Sequence, residues 1–102
     1  MASNRDIAYQ YSVEVEKSRL GLLSNEELLL LPEYQSQTIT FRGVRIFVAT
    51  HHDTAHEGFH AFVVQAERKF AFILAETYIA GFILDSNQVR QPLPQEVVYE
   101  YS

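Results

Sequence analysis

All four histidines of this chain, His51, His52, His56 and His60, fall within ten residues of one another. Imidazole binds metals, shuttles protons and changes charge near neutrality. Clustering therefore admits a metal site, an interface that responds to pH when several rings charge together, or simply a wet polar connector. Other chemistries are excluded. The chain has no cysteine, so no disulfide framework, thiolate zinc site, iron–sulfur cluster or cysteine nucleophile can form. No serine sits in a G-x-S-x-G elbow. Gly21, Gly43, Gly58 and Gly81 stand apart from one another, so no glycine-rich loop is available to cradle a phosphate.

Within the histidine run, His56-Glu57-Gly58-Phe59-His60 spells H-E-x-x-H. This resembles the zinc-metallopeptidase motif, in which two histidines one helical turn apart bind the metal and the glutamate activates its water. The resemblance covers these five residues and implies His56 and His60 as zinc ligands with Glu57 as general base. Its meaning depends on the backbone. On a helix, residues four apart have Cβ atoms about 5–6 Å from each other; on a strand they share a face but lie about 13 Å apart. Ala55, Phe59, Phe62, Val63 and Ala66 recur with helical spacing, and Asp53 or Thr54 could cap such a helix. Against it, Gly58 disfavours a helix by roughly 1 kcal/mol relative to alanine, and Phe59 to Val64 reads equally well as strand. The extended metzincin form would need glycine and histidine where Val63 and Ala66 stand. Glu67, Glu76 and Glu96 are conceivable third ligands, but none lies in a second ligand motif. The expectation is loop running into strand, with no catalytic, cofactor or metal residues assigned.

The elements around this stretch are read from periodicity and punctuation. Tyr9, Tyr11, Val13 and Val15 alternate with polar residues, which predicts a half-buried strand. Ser24-Asn25-Glu26-Glu27 matches a capping box opening a short helix that ends near Pro32; it explains the paired acids better than catalysis does. Thr38 to Phe41 and Val44 to Val48 predict two strands joined, or one strand bulged, at Arg42-Gly43. Thr50 to Gly58 is expected as loop. Phe59 to Val64 and Phe70 to Leu74 are strand-like, with a turn over Gln65 to Lys69 between them. Tyr78 to Leu84 fits strand or the tail of a helix. Asp85-Ser86-Asn87 predicts a turn, Pro92-Leu93-Pro94 an extended connector, and Val97 to Tyr101 a closing strand. Together these predict one α+β domain over residues 1–102. Its antiparallel sheet would hold about five or six strands, with one short helix packed on one face.

At 102 residues there is room for one core. The net charge is −5, and basic residues never cluster beyond the pair Arg68-Lys69. Nucleic acids and anionic membranes attract basic surfaces, so neither is expected as a partner. The polar N-terminal residues argue against a secretory signal, and the apolar run Phe70 to Leu84 is shorter than the roughly 20 residues that span a membrane. With cysteine absent, a cytoplasmic location is expected. Tyr9, Tyr11, Tyr99 and Tyr101 would share a face if the first and last strands were neighbours, as a binding platform or as ordinary cross-strand packing. The reading that follows is a non-enzymatic interaction module with a protein partner or itself, as a homodimer or small assembly subunit. Two alternatives stand beside it: a small zinc-binding protein or metal-dependent hydrolase using residues 56–60, and a small-ligand pocket between sheet and helix.

Overall fold

The computed structural model describes residues 4–69 and 75–102, and the fold is α+β. In chain order the described elements are α1 (Asn4–Gly21), α2 (Asn25–Leu29), β1 (Tyr34–Phe41), β2 (Val44–Asp53), β3 (Phe59–Lys69), β4 (Ala75–Asp85), β5 (Arg90–Pro92) and α3 (Gln95–Tyr101). The five strands form an antiparallel meander in the order β1-β2-β3-β4-β5.

β1 and β2 are two strands, not one bulged strand, and their register runs unbroken from Tyr34↔His51 to Phe41↔Val44. Arg42 and Gly43 both take positive φ, 49° and 81°. Two left-handed residues make the hairpin turn whose twist matches the flanking strands. β2 extends to Asp53, so the expected loop shrinks to residues 54–58. Gln65 to Lys69, expected as a turn, is instead the distal half of β3, paired with β4 as far as Lys69↔Ala75. The strand expected over Phe70 to Leu74 lies outside the described residues. Tyr78 to Leu84 is strand, within β4.

β3 is covered on both faces, and Ala61 to Val64 are all buried. Its even residues Phe62, Val64 and Ala66 join Ala8, Val13, Leu20 and Leu28 in the larger core, under α1 and α2. Its odd residues Ala61 and Val63 join Ile83 and Val97 in a smaller core under α3.

Residues 9–15 are helix, contrary to the strand expected from their alternation. The residues that α1 buries are Ala8, Ser12, Val13, Glu16 and Leu20, a helical face that alternation conceals because two of them are polar. Ser12 is satisfied within the helix, its hydroxyl donating to the Ala8 carbonyl at 2.8 Å. Arg19 and Gln37 both donate to the Glu16 carboxylate. Val97 to Tyr101 is also helix. β-branched propensity favours strand there, but burying Val97 completely against Ala61, Val63 and Ile83 overrides it. Tyr9 and Tyr11 thus lie over one face of the sheet and Tyr99 and Tyr101 belong to the helix on the other, so the four do not form one platform. The expected short helix is α2, with both halves of its capping box formed, but α1 supplies most of the helical layer.

Candidate functional site: the histidine-bearing end of the sheet

The helical turn on which the H-E-x-x-H reading depends is not formed. His56 and Glu57 lie in the loop between β2 and β3, and His60 is already the second residue of β3. Glu57 is exposed and belongs to no group of candidate metal ligands among the described residues. The four rings divide between the two faces of the sheet.

His52 and His60 lie on the α1 face. His52 is 6% exposed, not the wet side chain expected of a connector. Its Nδ1 lies 2.9 Å from the Leu31 carbonyl, which can only accept, so Nδ1 carries a proton. His52 Nε2 and His60 Nδ1 share a second hydrogen bond at 2.9 Å. His52 also stacks on Phe62, with centroids 4.7 Å apart. This chain of bonds ties the segment after α2 to β2 and β3, a structural role.

The α3 face carries the other two. His51 donates from Nε2 to Gln65 Oε1 at 3.0 Å, and Gln65 in turn donates to the Tyr101 carbonyl at 2.6 Å. Beyond it, the end of β2, the loop and α3 converge. Asp53 Oδ1 accepts the Ala55 N–H at 2.9 Å, while Oδ2 accepts the Tyr101 hydroxyl at 2.9 Å. His56 Nε2 stands 3.3 Å from Asp53 Oδ2 and 3.5 Å from Glu100 Oε2. That nitrogen is buried and makes no hydrogen bond. The His56 ring lies flat on Phe59, 4.8 Å between centroids and 12° between planes. Burial works to raise the Asp53 carboxyl, but the Ala55 N–H, the Tyr101 hydroxyl and the nearby imidazole together hold it below its ordinary value. Tyr101 is pushed up, by burial first and then by the carboxylate it donates to. Asp53, His56 and Glu100 each bring one ligand atom to this place, all within 4.8 Å of one another. The sequence singled out His56 but not its neighbours here. An aspartate three residues earlier is a weak signal, and Glu100 is brought in only by the docking of α3. The carboxylates considered as third ligands, Glu67, Glu76 and Glu96, are not part of this group.

A second feature runs along β1. Among the described residues no strand pairs with its outer edge. Its sequence, Tyr-Gln-Ser-Gln-Thr-Ile-Thr-Phe, contains no charge and no proline. α1 packs chiefly over β2, β3 and β4 and reaches β1 through side chains, in antiparallel order: Tyr11 packs on Phe41 at 4.4 Å, Glu16 meets Gln37, and Arg19 lies near Gln35. On the outer flank of α1, Ile7, Tyr11 and Val15 are exposed to 44%, 49% and 38%, spaced four residues apart on one stripe. The cleft between α1 and β4–β5 is about 460 Å³ and broadly open, bordered by Lys17, Gly81, Phe82 and Arg90. Among the described residues, no helix is long and apolar enough to cross a membrane. Compared with family models, with curated proteins and with solved structures, the chain finds no match.

Proposed function

We propose that this protein is an interaction module that works as a homodimer, joined through the free edge of β1. The observation that carries this reading is the outer edge of β1, which no strand among the described residues covers. Sheet edges in monomers are blunted by lysines, prolines, bulges or short length. β1 is eight residues long, uncharged, free of proline and unbulged. A second copy is the natural occupant. Antiparallel pairing of β1 with its twin is two-fold symmetric, so one surface serves both partners. It would extend the sheet from five strands to ten, with the two α1 helices on the same face. At a net charge of −5 per chain, pairing through an uncharged strand also keeps like charges out of the central contact. No catalytic role is needed in this reading, and a cytoplasmic setting suits a chain without cysteine.

Sedimentation equilibrium tests the idea directly. Wild type at micromolar concentration should weigh two 11.8 kDa chains. Ser36 and Thr38 are exposed and point away from α1, so Ser36→Lys/Thr38→Lys leaves the core intact. It gathers four new positive charges around the two-fold axis, and the dimer should separate into folded monomers with an unchanged circular dichroism spectrum. A wild type that stays monomeric at the highest soluble concentration would end the proposal. So would a dimer indifferent to the two lysines.

A further inference from the structure

We propose that Asp53, His56 and Glu100 form a binding site for a divalent zinc-class metal ion, independent of dimerisation and distinct from the H-E-x-x-H pair. The distances carry the argument. A charged hydrogen bond between imidazolium and carboxylate closes to about 2.7–2.9 Å. Here His56 Nε2 stands 3.3 Å from Asp53 Oδ2 and 3.5 Å from Glu100 Oε2, and hydrogen-bonds to neither. Nitrogen and oxygen ligands sit about 2.0–2.2 Å from zinc in tetrahedral geometry, which places them roughly 3.3–3.5 Å from one another. Both gaps are too long for a good ion pair and match the edges of a metal tetrahedron, and the two carboxylate oxygens lie within 4.8 Å of each other.

The surroundings fit the same chemistry. Metal-binding carboxylates are usually held by outer hydrogen bonds that fix their orientation. Asp53 has two, from the Ala55 N–H and the Tyr101 hydroxyl, and the latter leaves a lone pair of Oδ2 for the ion. Phe59 stacked on the imidazole fixes the ring plane. Imidazole nitrogen and carboxylate oxygen are both ligand types that zinc takes, and three protein ligands leave a fourth tetrahedral position for water. The two carboxylates bring negative charge that a divalent cation neutralises. His60 takes no part. It lies on the opposite face, with Nδ1 engaged by His52.

The ligands come from the end of β2, the following loop and α3, so the ion would clamp the last helix to the sheet. Anything bound by the native state alone raises its melting temperature. The protein, stripped with chelator and dialysed, is titrated calorimetrically with zinc chloride. One ion per chain should bind, more tightly than about 100 μM, and the melting temperature should rise. Cobalt(II) should give the intense visible bands of a four-coordinate site, a readout that needs no variant. Glu100→Gln, at a half-exposed position, keeps the fold and should weaken zinc by roughly tenfold or more, as should His56→Ala, whereas His60→Ala should bind as wild type does. The proposal is overturned by absence of one-to-one binding, by octahedral cobalt spectra, or by binding that depends on His60 and ignores Glu100.

Discussion

At Gly81 the backbone of β4 comes so close to β3 that a Cβ built there would lie 2.1 Å from the Phe62 carbonyl oxygen and 3.2 Å from Leu93 Cδ1. The obstructing atom is backbone in the middle of the sheet, flanked by fully buried Phe62 and Val63, and it cannot move without disturbing both cores. Gly81→Ala should therefore destabilise the protein by about 2–4 kcal/mol, the range of severe overpacking. For a domain of this size that lowers the melting temperature by roughly ten degrees or more. Thermal unfolding with a matched Gly21→Ala control, where a Cβ meets nothing within 4 Å, separates crowding from any general effect of losing glycine. Equal melting temperatures for the two variants would show that the β3–β4 contact can relax. The same scale governs the proposed metal centre, where a few tenths of an ångström distinguish a tetrahedral edge from an ion-pair hydrogen bond.

Elements are where sequence and structure parted most. Signals confined to a few neighbours were legible: the Ser24–Glu27 capping box, the Arg42-Gly43 turn, and the β-branched runs on either side of it. α1 was not. Its buried face includes Ser12 and Glu16, while Ile7, Tyr11 and Val15 are turned outward, so apolar residues do not trace the core side. α3 was obscured for a different reason, since Val97-Val98 favours strand until the small core beneath it exists. The site was half legible, because Asp53 and His56 lie in the histidine-rich stretch whereas Glu100 depends on α3 docking. Arg90 is a further contact that only folding assembles. From β5 it donates to the Gly21 and Leu23 carbonyls at the end of α1 and to Asn25 Oδ1 at the start of α2. A cation on the free carbonyls of a helix C-terminus satisfies both their hydrogen bonding and the helix dipole. Because Arg90 is exposed, Arg90→Ala should cost only about 1–2 kcal/mol. Hydrogen exchange should quicken first in the last turn of α1. Uniform quickening throughout the chain would instead mean that Arg90 contributes to global stability without a local role.

For the whole molecule, two electrostatic effects oppose each other as pH falls, and their order fixes the shape of the stability curve. The net charge of −5 at neutrality is self-repulsive, and acidification toward the pI near 5.2 relieves that repulsion. Several carboxylates, however, are held below their ordinary values in the folded state. Glu27 is lowered by the Ser24 backbone N–H and hydroxyl, from 4.5. Asp85 is lowered from 3.8 by the Val89 N–H foremost, with Gln91 and the Asn87 N–H adding to it. Asp53 is lowered from the same value despite its burial. A group whose folded pKa is depressed contributes stability above its unfolded pKa and loses that contribution as pH falls through the folded value. The loss therefore begins only below about 4.5, after the relief of repulsion has run its course. Urea midpoints should hold level or rise slightly from pH 7 to the pI and then fall steeply. Asp85→Asn tests the assignment within that curve. It should lower the midpoint at pH 7, and its difference from wild type should shrink toward zero in acid, where Asp85 itself is protonated. A difference that persists undiminished at low pH would mean that the Asp85 turn depends on shape alone and owes nothing to charge.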